Sequence, residues 1–229
     1  MAMGLKGISL LGLLLLVFVS KGEAMESKHV VLLGASVGQA WHIEDLPKRL
    51  GIQGYRFEYR GEYQFDKSKS LQQILERKKN KPDAIFLKEC AAYFPGDRFR
   101  YEELMKEWVR RCKQGGIIPI PTTVVPVIQD RSLKNRAKDL IKGALGRPTS
   151  TSQLEAIIQY NDWVRSFART EGLAVLDLDA AVRTSQKDRS LRLDLQSGDG
   201  LHLNEKAYAL LDKIVVPILE NVFPPDQKH

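Results

Sequence analysis

The stretch that decides the fold is "HVVLLGASVGQAW", residues 29–41. Its apolar run stops at Gly34, and Ser36 follows between small residues. A continuous apolar run of this length is typical of a strand that is covered on both faces, as in a parallel sheet. Residues 37–50 are predicted to form a short helix that ends near Gly51. By itself the stretch leaves three roles open for Ser36: a nucleophile, a helix cap or part of a phosphate-binding loop.

Strand and helix patterns alternate along the rest of the chain. Further runs typical of strands lie at residues 55–60, 82–88, 117–125 and 173–179. Helical spacing of apolar residues is found at 68–80, 101–116, 152–172 and 204–223, and a helix plus a loop is predicted at 127–150. This order predicts an α/β fold, a three-layer α/β/α sandwich of flavodoxin-like type with a five-stranded, mostly parallel sheet. Ligands of such sheets bind beyond the carboxyl ends of the strands, where Ser36 lies.

The first residues have a composition of their own. Lys6 precedes an unbroken apolar run at residues 8–19, and small residues follow up to Ala24. A basic start, a short apolar stretch and a small-residue exit are typical of a secretory signal. We therefore expect residues 1–24 to be a signal peptide and 25–229 to be a single domain, exported to a periplasm or to the outside. An uncleaved N-terminal membrane anchor is the alternative; after cleavage no stable membrane insertion is expected.

Composition and charge exclude several classes of protein. Of the 229 residues, 43% are hydrophobic and 28% are charged, which is ordinary globular composition. The net charge is +7, but the basic clusters contain no interleaved aromatic residues, so nucleic-acid binding is not expected. No His, Cys and carboxylate cluster has metal-ligand spacing, so neither a metal nor another cofactor is expected. Cys90 and Cys112 could form only one disulfide, and two buried free thiols are the favoured interpretation.

The second informative stretch is "SGDGLHLNEKAY", residues 197–208. Asp199 and His202 are three residues apart in a glycine-flanked turn before the last helix. This spacing can bring the carboxylate against one ring nitrogen, which leaves the other nitrogen free to accept a proton from a serine. Ser36 at a strand end is the serine that the fold would bring to this pair. The order Ser36, Asp199, His202 therefore predicts a nucleophile, an orienting carboxylate and a general base.

These two stretches resemble the blocks of the SGNH/GDSL hydrolase family. "LLGASVGQAW" is similar to its first block, with Ala35 where the Asp of Gly-Asp-Ser is usual, and "DGLHLNEKAY" is similar to its last block. The resemblance extends over residues 29–220. It implies hydrolysis of carboxylic esters such as O-acetyl groups on carbohydrate, lipid acyl esters or small acyl esters.

The resemblance also implies an oxyanion hole, and here the sequence departs from the family. The N–H groups of Ser36 and Gly61 are the expected backbone donors. After the third strand the family has an Asn, whereas this chain has Cys90, with Glu89 beside it. A thiol is a weak donor and an ionised carboxylate cannot donate. We expect Cys90 or Glu89 to line the same pocket.

The sequence thus predicts an exported serine esterase that acts on a small-molecule or glycan ester. The alternative is a protein of the same fold that binds envelope polysaccharide without catalysis or acylates it. "GASVG" also fits the nucleophile elbow of α/β-hydrolases, but too few residues precede Ser36 for that fold. A dinucleotide-binding fold is disfavoured because Gly-x-Gly-x-x-Gly is absent.

Overall fold

The computed structural model describes residues 27–129, 141, 145, 149–199 and 202–224. The predicted signal peptide, residues 1–24, lies outside the described residues, as does most of the segment 127–150. The sheet has four strands: β1 (Lys28–Gly34), β2 (Tyr55–Gly61), β3 (Ala84–Lys88) and β4 (Ile118–Thr122). All neighbouring strands are parallel and their order is β2-β1-β3-β4.

Helices follow the strands, but the single helix predicted at residues 37–50 is divided into two short helices with a 3₁₀ turn between them. They are α1 (Ser36–Trp41), α2 (Leu46–Leu50), α3 (Ser68–Leu75), α4 (Arg98–Gln114), α5 (Ser150–Thr170), α6 (Leu178–Val182) and α7 (Glu205–Val222). Short 3₁₀ turns lie at Ile43–Asp45, Ala91–Tyr93 and Leu193–Leu195. None of the helices within the described ranges combines the length and apolar character needed to cross a membrane.

The central strand β1 is covered on both faces. Val30 and Leu32 pack into a core that α1, α2 and α7 cover, whereas Val31 and Leu33 pack into a second core beneath α3 and α4. All four side chains are fully buried. The continuous apolar run is therefore explained by burial on both faces, and the predicted α/β architecture with a parallel sheet between helix layers is confirmed.

The prediction of a fifth strand at residues 173–179 is wrong for the described structure. This segment makes only an isolated parallel bridge, between Leu176 and Thr122. Its two hydrogen bonds run from Thr123 N–H to the Leu176 carbonyl and from Leu176 N–H to the Pro121 carbonyl. The odd-numbered residues of β4 thus face this outer edge, and two of them, Pro119 and Pro121, have no N–H to donate. Because of this missing pair of donors, the ladder stops after one bridge.

α1 packs closely on β2 because Gly38 has no side chain. A Cβ atom at this position would lie 2.9 Å from Tyr59 Cε2 and 3.2 Å from Leu32 Cδ2. The Tyr59 hydroxyl in turn donates hydrogen bonds to the carbonyl oxygens of Gly34 and Ala35, each at 3.2 Å. The close approach at Gly38 therefore lets Tyr59 support the turn between β1 and α1.

Replacing Gly38 by Ala should destabilise the protein by about 1–3 kcal/mol, since the added methyl group overpacks the contact with Tyr59. Urea unfolding followed by circular dichroism measures this difference. The control is Ala40→Ser at an exposed position of the same helix, expected to change stability by less than about 0.5 kcal/mol. Equal stability of Gly38→Ala and wild type would contradict the packing argument.

Candidate active site

Ser36 lies two residues after the end of β1 and is the first residue of α1. Ala35 occupies the N-cap position, with extended backbone angles and no side-chain cap. The helix-cap role for Ser36 is therefore wrong. Its Oγ instead lies 3.1 Å from Nε2 of His202, across 166 residues of sequence.

The other ring nitrogen of His202 contacts a carboxylate. Nδ1 of His202 forms a hydrogen bond with Oδ2 of Asp199, and the backbone N–H of His202 donates to Oδ1 of the same carboxylate at 2.8 Å. The structure thus brings together Ser36, His202 and Asp199 in one hydrogen-bonded chain. The side chains of His202 and Asp199 are 44% and 48% exposed, so this pair is open to solvent and screened by it.

Backbone hydrogen bonds shape the loop that carries Asp199 and His202. Gln196 and Leu203 form an antiparallel bridge, and the Ser197 N–H donates to the His202 carbonyl at 2.9 Å. These bonds close the loop at its base. The orientation of His202 therefore rests on backbone geometry as well as on its carboxylate partner.

Asn204 connects this loop to α7. Its side-chain oxygen accepts from the Ala207 N–H at 3.1 Å and so caps the helix. Its amide nitrogen also donates to the carbonyl oxygens of Asp194, at 2.9 Å, and Gln196, at 3.3 Å. This second function was not predicted, because the residues that supply the carbonyls are not marked by any sequence pattern.

Gly61 ends β2 and is paired in register with Gly34. The next residue, Glu62, donates its N–H to the Gly34 carbonyl at 2.8 Å, and the Tyr59 N–H donates to Glu44 on the outer side of β2. Since N–H directions alternate along a strand, the N–H of Gly61 faces that outer side. In this structure the N–H of Gly61 therefore points away from β1 and the turn that carries Ser36, and its role as an oxyanion donor stays a prediction.

Glu89 and Cys90 follow β3, but the Glu89 side chain is withdrawn from solvent. Its carboxylate is fully buried and forms an ion pair with Lys67 Nζ at 2.7 Å. Burial raises the pKa of Glu89 to about 7, against the lowering effect of Lys67. Both cysteines are free thiols; Cys112 is buried, as predicted, whereas Cys90 is only partly buried.

A second buried lysine, Lys88, was not among the predicted site residues. It ends β3, is 1% exposed, and its carbon chain lies about 3.4 Å from where a Cβ of Gly34 would be. Its Nζ donates to the main-chain oxygen of Glu89 at 2.9 Å. Burial lowers the pKa of Lys88 to about 8. The only signal in the sequence is a lysine that directly continues an apolar strand.

His42, which is close to Ser36 in sequence, is not part of the hydrogen-bonded chain of Ser36, His202 and Asp199. It follows α1 in a left-handed conformation, with φ +47°, and lines a cavity of about 640 Å³ between α1, α2 and α7. No group of three or more His, Cys, Asp and Glu side chains in the described part of the chain could hold a metal ion. That the protein needs no cofactor stays a prediction.

Comparisons with known proteins agree with this architecture. No protein-family model and no curated protein matches the sequence, but 43 chains among solved structures match the fold. A GDSL-like lipase from Bacteroides thetaiotaomicron VPI-5482 is 15% identical, with a TM-score of 0.62 over 85% of this chain and 88% of that chain. TesA is 15% identical, with a TM-score of 0.58 over 85% and 99%.

A third match is the psychrotrophic esterase EstA from Pseudoalteromonas sp., in a structure inhibited by monoethylphosphonate. It is 10% identical, with a TM-score of 0.57 over 85% of this chain and 98% of that chain. Likeness at these identities establishes the fold. The resemblance seen in the sequence is confirmed at that level, since the chain has the SGNH hydrolase fold.

Two variants of Asn204 should separate its cap from its loop contacts. Asn204→Ala loses both the cap and the hydrogen bonds to the loop, so it should destabilise the protein by about 1–2 kcal/mol. Asn204→Asp keeps an oxygen for the Ala207 N–H but loses the two N–H donors, so it should recover most of the cap contribution. Urea unfolding measures both variants, and equal losses of stability in the two would contradict a separate capping function.

Lys88 should make stability depend on alkaline pH. The folded chain releases the Lys88 proton near pH 8, whereas the unfolded chain holds it to about 10.5. Between these values the unfolded chain binds more protons, so the free energy of unfolding rises with pH relative to Lys88→Met, by up to about 3 kcal/mol. Urea unfolding at several pH values from 7 to 10 measures this difference. Lys206→Met, which removes an exposed lysine, is the control expected to run parallel to wild type, and a parallel curve for Lys88→Met would refute the shift.

Proposed function

We propose that this chain, which has the fold of the SGNH hydrolases, is a serine hydrolase that cleaves carboxylic esters. The observation that carries the proposal is the hydrogen-bonded chain from Ser36 Oγ through both ring nitrogens of His202 to the Asp199 carboxylate. A serine hydroxyl is a poor nucleophile unless a base accepts its proton. His202 is at the distance that general-base catalysis requires.

In the first half of the reaction, Ser36 Oγ attacks the carbonyl carbon of the ester while its proton passes to Nε2 of His202. The Asp199 carboxylate holds the Nδ1–H of the resulting imidazolium. The carbonyl oxygen becomes an oxyanion, for which the N–H of Ser36 is the nearest backbone donor in sequence. The tetrahedral intermediate then expels the alcohol, which takes the proton from His202, and leaves Ser36 acylated.

In the second half, His202 takes a proton from water, and the resulting hydroxide attacks the acyl carbonyl. Collapse of the second intermediate releases the carboxylic acid and returns the proton to Ser36. A sugar hydroxyl in place of water would give acyl transfer by the same route. The half-exposed position of Asp199 and His202 supports ready access of either acceptor.

We further propose that the protein acts outside the cytoplasm, where the apolar leader of residues 1–24 would direct it. Esters available there include O-acetyl groups on envelope glycans, lipid acyl esters and small acyl esters. The proposal requires neither a metal nor another cofactor, because every proton transfer uses a side chain of this chain.

Ser36→Ala should abolish labelling by a fluorophosphonate probe and lower ester hydrolysis by about 10⁴- to 10⁶-fold, because the attacking oxygen is gone. The measurements are gel fluorescence of the labelled protein and initial rates on a panel of p-nitrophenyl esters and O-acetylated sugars. The control is Ser166→Ala, which removes a hydroxyl from an exposed position of α5 and should behave as wild type.

Two results would overturn this assignment. If Ser36→Ala hydrolyses esters as fast as wild type, Ser36 is not the nucleophile. If wild type is inert toward all esters and the probe while it binds O-acetylated polysaccharide, the protein is a binding module of the same fold.

A further inference from the structure

Three charged side chains are buried beneath the carboxyl edge of the sheet. We call Lys67, Lys88 and Glu89 the buried ion cluster; each is at most 1% exposed. Two ammonium groups and one carboxylate give the cluster a net positive charge when all three are ionised. Burial of an ion that is not fully neutralised is costly, so such a charge calls for a functional explanation.

The two lysines lie on different sides of the sheet. Lys67 binds the Glu89 carboxylate, and its Nζ lies 5.8 Å from the ring centroid of Trp108 in α4, so this ion pair is on the α3–α4 side. Lys88 shares its face of β3 with Phe86, which belongs to the core beneath α1 and α7. Lys88 is therefore on the side of the sheet that carries the nucleophile and the base.

Lys88 also lies next to the turn that presents the nucleophile. Its carbon chain lies beside Gly34, two residues before Ser36, at about 3.4 Å from where a Cβ of that glycine would be. Its Nζ reaches the carboxyl edge and donates to the Glu89 carbonyl, a neutral acceptor, while the Glu89 carboxylate is bound by Lys67. The positive charge of Lys88 is thus directed to the edge, and no carboxylate among the described residues forms an ion pair with it.

We infer that Lys88 is a positioning residue that fixes the Glu89–Cys90 peptide and places a positive charge beneath the oxyanion formed during ester cleavage. This inference rests on the proposed serine hydrolase function. The segment that follows β3, residues 89–94, contains no amide side chain that could donate to an oxyanion. The Gly61 N–H faces the outer side of β2. A preorganised charge in a dry setting stabilises a developing negative charge without reorganisation.

The inference predicts a specific pH profile. Since the pKa of Lys88 is about 8, kcat should fall as pH rises through that value and the charge is lost. Cys90, Lys67 and Glu89 are the titratable groups whose charges act on Lys88: Cys90 and Glu89 favour its charged form, and Lys67, across the sheet, disfavours it.

The test measures kcat and KM for one p-nitrophenyl ester between pH 5.5 and 9.5. Lys88→Met should lower kcat at pH 7 by about ten- to a hundredfold with little change in KM, and the fall on the alkaline side should disappear. Lys88→Arg retains a charge that does not titrate in this range, so it should recover most of kcat and hold it above pH 8. Lys206→Met, which removes an exposed lysine on α7, should keep the wild-type profile.

Each outcome decides the inference. A folded Lys88→Met protein with wild-type kcat and an unchanged alkaline fall overturns it, and so does a wild-type kcat that stays level above pH 8. If Lys88→Met does not fold, Lys88→Arg and the wild-type profile decide alone. A loss of thermal stability without a change in the pH profile means that Lys88 is structural only. Wild type that neither hydrolyses esters nor reacts with fluorophosphonate refutes the proposed function itself, a result that differs from all of these.

Discussion

The whole arrangement depends on the burial of β1 on both faces and its pairing on both edges. β2 and β3 bond to its two edges in parallel, and four side chains, Val30 to Leu33, are completely buried between two helix layers. Because the strand cannot shift without exposing these side chains, its carboxyl end has a fixed position. Because Ser36 lies only two residues after Gly34, its position is fixed as well.

The same constraint explains which features the sequence revealed. β1 is recognisable because burial on both faces demands an unbroken apolar run, and α7 because Asn204 caps an amphipathic helix. Both features are local, so the residues next to them, Ser36 and His202, could be paired as candidates before any contact was known. The contact between them requires only the topology of a parallel sheet, in which strand ends and the following loops meet at one edge.

Features that depend on register or burial were not predictable in this way. The two prolines of β4 are visible in the sequence, but only the register shows that Pro119 and Pro121 both face the edge where a fifth strand would pair. Lysine next to a strand normally indicates a solvated position. That Lys88 is buried, with its carbon chain beside Gly34 on another strand, becomes visible only in the folded structure.

The packing of α1 and α2 against α7 fixes the distance between the nucleophile Ser36 and the base His202. These packing contacts lie away from the reacting atoms. Asp212 of α7 is 5% exposed; it accepts from Trp41 Nε1 at 2.7 Å and from Arg49 Nε at 2.8 Å. A buried carboxylate with two such donors holds the helices in one relative position. By contrast, the pair of Asp199 and His202 is about half exposed, where solvent screens its attraction. The contacts of Asp212 and the hydrogen-bonded loop that carries His202 therefore contribute more to the preorganisation of the site than the ion pair of Asp199 and His202 does.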